Sequence, residues 1–139
     1  FFPLFNYISG NNQSEMKIAM TSPVVMQETT TNRSVRRTMN FILSPSTFRS
    51  SNQIPRANDP TVQLIEQSAF PPLATITFNM VMTTEGNAAK ERELRQAAER
   101  DGLVLSPHRS DVMYFGYNAP DTLPQYRRNE ISIPIVGQR

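Results

Sequence analysis

Only one stretch of this chain reads as a sustained helix, "TTEGNAAKERELRQAAERDG" at positions 83–102, and short alternating segments and turns surround it. Thr83 or Thr84 offers a side-chain oxygen to the first free backbone N–H groups, strong helix formers follow, and Gly102 after Arg100-Asp101 closes the run. Ala89, Leu94, Ala97 and Ala98 give this helix an inner face of mostly small side chains, suited to lying close on a sheet. A chain with one such helix among strand-like segments is α+β with antiparallel sheet.

The strand-like segments follow in order. Met16, Ile18 and Met20 alternate with Lys17, Ala19 and Thr21, which is strand periodicity, and Val24 to Gln27 resumes it after Pro23. Beyond the polar "TTTNRS" loop, Val35, Arg37, Met39, Phe41 and Leu43 share one face of a second strand. Residues 44–60 hold three prolines and many small polar groups and read as a long surface loop. Val62, Leu64 and Glu66 make a short strand, and Ala74, Ile76 and Phe78 face away from Thr75 and Thr77 in another. Residues 111–117 and 129–136 form the last two, with Pro134 demanding an edge or a bulge. Ahead of all of them, Phe1, Phe5 and Ile8 share one side of a helix tail, with Leu4 close by, that Gly10 ends. Split at the long loop, the order is nearly two copies of a strand-helix-strand-strand unit, the first lacking its opening strand and most of its helix.

Composition narrows the function. A chain of 139 residues is sized for one domain. A formal charge of +2, with no Lys/Arg block longer than a pair, gives no footprint for nucleic acid. Arginine carries most of the positive charge, since Lys17 and Lys90 are the only lysines. The absence of cysteine removes thiolate chemistry, disulfides and cysteine-ligated metals. No apolar run reaches the length of a membrane span. A chain that begins at Phe1 reads as a trimmed or processed form with no targeting segment visible. Its compartment is open: soluble in the cytoplasm or in an organelle, plastid included.

Six stretches, "LFNYISGNN…KIAMTSPVV", "MNFILSP", "ATITFN", "KERELRQAAERDGL", "VMYFGYNAP" and "RRNEISI", resemble the SOUL haem-binding protein family in content and in order from Leu4 to Ile135. The resemblance implies a distorted antiparallel β-barrel with two helices, built from two strand-helix-strand-strand repeats of which the first is truncated here, in a single domain spanning residues 1–139. It implies binding of a tetrapyrrole in a shallow apolar groove along the first helix, walled by the loop before the last strand, with basic side chains meeting the propionates. Carried onto this chain, the ligand-binding positions are Phe1, Phe5 and Asn6 on the helix and Leu123 on the loop. Asn6 and Leu123 stand where some members have lysine. Each missing charge-assisted hydrogen bond is worth roughly 1.5–3 kcal/mol, so Arg127 or Arg128 is expected to take over. The competing expectation makes Phe1 and Phe5 plain core residues and Arg127-Arg128-Asn129-Glu130 an Arg–Glu pair with Asn129 serving backbone groups at a strand start. An orphan helix tail also calls for cover, from a second copy of the chain or a separate upstream fragment.

Imidazole is the usual haem-iron ligand, and His108 is the one histidine. It lies in the loop "LSPHRS", away from the expected groove, so the cofactor expectation is haem held without covalent attachment and with weak or no axial ligation. Thioether ligation by the seven methionines is set against core filling. Met80 and Met82 attract notice because "FNMVMTT" replaces the Phe-Ser-Gly typical of relatives. No catalytic residue is assigned: nucleophile–base pairs and phosphate loops are absent, and the sole acid–aromatic constellation is Glu130 with Tyr114 or Tyr117, as in hydrolases of the related drug-sensing fold. Three functions stay in play: reversible tetrapyrrole carriage or buffering, a ligand-free interaction subunit, and a small hydrolase.

Overall fold

A computed structural model describes residues 1–67 and 69–139. The chain divides into two compact units, Phe1–Ser22 with Phe41–Ala69, and Pro23–Asn40 with Phe70–Arg139. Among the described residues the architecture is α+β, with two α-helices and a six-stranded antiparallel sheet that does not close on itself.

In the first unit, α1 (Phe2–Ile8) has no side-chain cap and only seven residues, too few to hold a helix in water by itself. It persists because Tyr7 and Ile8 are buried against Ile18 and Phe48, with Ile54 and Val62 packed around them. Ser9 caps its end, and Gly10 turns the chain away at φ +115°, the role expected of that glycine. Asn12 then ties the helix end to the turn at Ser14–Met16. Fully buried, its side-chain amide nitrogen donates to the carbonyls of Tyr7 (3.0 Å) and Met16 (2.7 Å), while Oδ1 accepts from the N–H groups of Ser14 (3.2 Å) and Met16 (3.0 Å).

That network explains one departure from expectation. Residues 16–20 alternate as a strand would, yet form none: Met16 spends its backbone on Asn12, and the N–H of Ile18 donates to the Ile8 carbonyl at 2.8 Å. Ile18 points inward while Met16 and Met20 stay exposed, so the three do not share an environment. The strand expected at Val62–Glu66 is likewise absent, and Val62 N–H closes a turn on the Asp59 carbonyl.

The second unit carries the sheet, in the order β2-β1-β5-β6-β3, from β1 (Val24–Thr30), β2 (Val35–Phe41), β3 (Leu73–Phe78), β5 (Met113–Gly116) and β6 (Asn129–Gln138). The short β4 (Leu103–Leu105), unforeseen in the sequence, pairs with the far end of β6. Pro134 sits where β6 changes partner, pairing with β5 up to Ser132 and with β4 from Ile135, and the β4 register slips between Val104 and Leu105. A residue with no N–H suits that gap, and its carbonyl accepts from Ser106 at 2.9 Å.

Helix α2 (Thr84–Arg100) starts as the sequence predicts, with the Thr83 hydroxyl accepting from Gly86 N–H at 3.0 Å. Its Leu94 joins Val112, Tyr114, Ile131 and Ile133 in the main core, backed by Met26, Ile76 and Met82. Core filling therefore accounts for Met26 and Met82. On the opposite sheet face, Val25, Met113 and Phe115 form a smaller cluster.

Candidate functional site

The sequence-predicted site residues fall into two sets. On α1, Phe1, Phe2 and Phe5 are 50%, 74% and 47% exposed, and Asn6 is exposed as well. Inward-facing Tyr7 and Ile8 fix the helix, and the Tyr7 hydroxyl donates to the Pro55 carbonyl at 2.7 Å. The phenyl rings of Phe1 and Phe5 stack at 5.7 Å, and Phe1 meets Phe41 edge-on at 6.1 Å. Contact with Phe41 and with each other leaves about half of each ring open, so Phe1 and Phe5 are not plain core residues.

The other set lies in the second unit. Leu123, 57% exposed, precedes a single 3₁₀ turn, Pro124–Tyr126, and leads into Arg127 and Arg128. Both arginines line an open groove of about 690 Å³ between the end of β3 and the start of α2. Phe78, Met80, Val81 and Ala89 supply apolar surface there, and Lys90 is a third cation on its rim.

The two arginines differ in how they are held. Arg128 donates to the single oxygen Oε1 of Glu130 through both Nε at 3.1 Å and Nη2 at 2.6 Å, and lies 4.7 Å over the Tyr117 ring. The Arg–Glu pair anticipated at the closing motif is thus present, and Asn129 also plays its anticipated part: its side-chain nitrogen donates to the Met80 carbonyl at 2.7 Å. Arg127 donates instead to backbone carbonyls, Nε to Thr122 at 2.8 Å and Nη2 to Pro120. Among the described residues no carboxylate lies within ion-pair distance of Arg127. Both guanidinium groups are anchored, but only Arg127 keeps an uncompensated charge.

Met80 is the residue that sequence reasoning noticed without seeing why. Its backbone takes φ +77°, the left-handed region that costs a non-glycine residue about 1–2 kcal/mol. Two bonds hold it there: its N–H donates to the Pro124 carbonyl at 2.8 Å, and its carbonyl accepts from Asn129. Nothing in a run such as Asn-Met-Val signals a positive φ, so only the departure from Phe-Ser-Gly marked the spot.

Glu130, with Tyr114 or Tyr117, is the acid–base candidate of the sequence. Tyr117 donates its hydroxyl to Oε2 at 2.7 Å, whereas Tyr114 stands opposite Ile131 in the β5–β6 register and enters the main core on the other face. Burial pushes the Glu130 carboxyl up, but hydrogen bonds from Tyr117 and Arg128, the Arg128 charge and the Thr77 hydroxyl outweigh it and leave the pKa below the ordinary value. A carboxylate held ionised and already engaged by two donors is a poor general base. His108 is exposed in its loop, where its backbone N–H donates to Ser106 Oγ, and among the described residues no group of three or more His, Asp or Glu side chains gathers to hold a metal ion. No helix among the described residues is long and apolar enough to cross a membrane.

The α+β class, with two helices and antiparallel sheet, agrees with the expectation from the resemblance. The family model described as "SOUL heme-binding protein" matches residues 1–134. The chain belongs to the SOUL heme-binding protein family. Comparison with curated proteins gives no match.

Proposed function

We propose that the protein binds haem or a related tetrapyrrole reversibly, for carriage or buffering. The observation that carries this reading is the exposed aromatic face of α1, where Phe1, Phe2 and Phe5 turn outward from a helix pinned by Tyr7 and Ile8. A planar apolar ring system gains roughly 25 cal/mol for every Å² it hides against such a face, with no metal–ligand bond required. Each half-open phenyl ring then contributes about 1 kcal/mol when covered, which favours weak, releasable binding over permanent residence. Asn6 adds no charge on this helix. The candidate ligand contacts on this face are Phe1 and Phe5.

Titration with haem and with metal-free protoporphyrin tests the proposal. Both are expected to bind alike, because the macrocycle rather than the iron is recognised, and His108→Ala is expected to leave haem binding unchanged. Phe5→Ser should weaken both ligands by about fivefold, the equivalent of about 1 kcal/mol. No Soret shift and no fluorescence quenching at micromolar ligand would overturn the reading.

The same exposed rings support a second reading, in which another copy of the chain or an upstream segment covers α1. Light scattering separates the two. A ligand-free oligomer that Phe2→Ser dissociates favours cover by a second copy, and a monomer that binds porphyrin favours the carrier.

A further inference from the structure

We infer that the groove of the second unit is a distinct binding site for a small amphipathic monocarboxylate, an apolar body bearing one acid group, with Arg127 as its anion anchor. This does not rest on the α1 reading, and either can fail alone.

Charge identifies the ligand class. Of the three cations on the groove, Lys90 is paired with Glu93 at 2.7 Å and Arg128 with Glu130 at 2.6 Å. Arg127 is held by carbonyls alone, which fix its plane without cancelling its charge. Nε and one Nη2 hydrogen are consumed, so the two N–H groups of Nη1 and the second of Nη2 remain for an incoming carboxylate. One uncompensated guanidinium calls for one acid group. In the same groove, Phe78, Met80, Val81 and Ala89 offer lining without charge, and a ligand polar throughout would leave it unused.

The groove is also built rather than incidental. Its two sides are stapled together by the Met80 N–H bond to Pro124 and the Asn129 side-chain bond to the Met80 carbonyl. That pair of bonds keeps Met80 in its left-handed conformation and the exposed thioether side chain on the groove. Strain of this kind, sustained by two specific bonds, concentrates where a surface is shaped for binding, and a wall already in place spares a ligand the cost of ordering it. A volume of about 690 Å³ lies within the range of small-molecule pockets.

The test uses 1-pyrenebutyrate as a fluorescent apolar monocarboxylate and 1-pyrenebutanol as its neutral counterpart. Wild type is expected to bind the acid more tightly than the alcohol. Arg127→Gln should weaken the acid by about tenfold or more, the equivalent of a charge-assisted bond, and leave the alcohol unchanged, with Arg127→Lys recovering part of the loss. Because Arg127 also braces its loop, Ala89→Phe gives an independent check: Ala89 is exposed on α2, and a phenyl group there should fill the groove and block both probes without touching Arg127. Unchanged binding of the acid in Arg127→Gln, or unchanged binding of both probes in Ala89→Phe, would each overturn the inference.

Discussion

Tyr117 donates its hydroxyl hydrogen to Oε2 of Glu130 at 2.7 Å, from the end of β5 to the start of β6, while Arg128 occupies the other carboxylate oxygen. The carboxylate is satisfied from both sides, and its folded pKa lies below the ordinary 4.5. A depressed carboxyl contributes stability that is present above the unfolded pKa and lost as pH falls through the folded one. Tyr117→Phe removes one donor to a charged group and should cost about 1.5 kcal/mol at pH 7. The difference between variant and wild type should shrink as the pH is lowered below about 4, which urea titrations at several pH values would read directly. Glu28 and Asp59 are also held low by hydrogen bonds, but their loss is common to both proteins and cancels.

Asn12 is fully buried with four hydrogen bonds and joins α1 to the segment after it. Asn12→Ala leaves the Met16 carbonyl and the N–H groups of Ser14 and Met16 without that partner, takes one of two donors from the Tyr7 carbonyl, and should cost about 2–4 kcal/mol. Asn12→Asp keeps the shape but turns a carboxylate oxygen toward the Tyr7 and Met16 carbonyls, so burial and repulsion raise its folded pKa. Its stability should be fullest below the unfolded pKa of about 3.9 and fall as pH rises through the folded value, opposite in sign to the Glu130 effect. Denaturation of the two variants at about pH 3.5 and about pH 7.5, on either side of that window, checks this: the aspartate variant should be the weaker at neutral pH.

Met80→Gly should stabilise the protein by about 1 kcal/mol, because glycine takes positive φ without steric cost and the side chain it replaces is mostly exposed. Met80→Ile, branched at Cβ, should destabilise it. Shifts of the denaturant midpoint in opposite directions would confirm that the backbone and not the thioether dominates at this position.

Much of the fold is legible in the residues. Thr83, the run of helix formers and Gly102 mark α2 at both ends, and alternation marks β2, β3, β5 and β6. Alternation misleads at Met16–Met20, because strand identity depends on what the backbone bonds to, and there Asn12 and Ile8 claim it first. β4 was invisible because three apolar residues after a helix-ending glycine carry no period to read. At the candidate site, Phe1 and Phe5 come from family resemblance, and the structure leaves both about half exposed. The division of labour between Arg127 and Arg128 was beyond the sequence: a guanidinium chelating Thr122 and Pro120 carbonyls depends on a loop path that no local pattern encodes. The groove itself joins residues nearly fifty positions apart, Met80 and Asn129, through one side-chain bond.

β6 is the common partner of β3, β4 and β5, and it follows all three in the chain. On the ribosome, then, those three strands emerge with their shared neighbour still unmade, and β3 has no other partner in the sheet. The β2-β1-β5 side of the sheet can pair without β6, whereas β3 and β4 gain their partner only once residues 129–138 clear the exit tunnel. Until that moment the uncharged edge "LATITF" stays open to the same edge on a nearby nascent chain, so slow translation past Gly116 is the stage at which this protein is most exposed to aggregation.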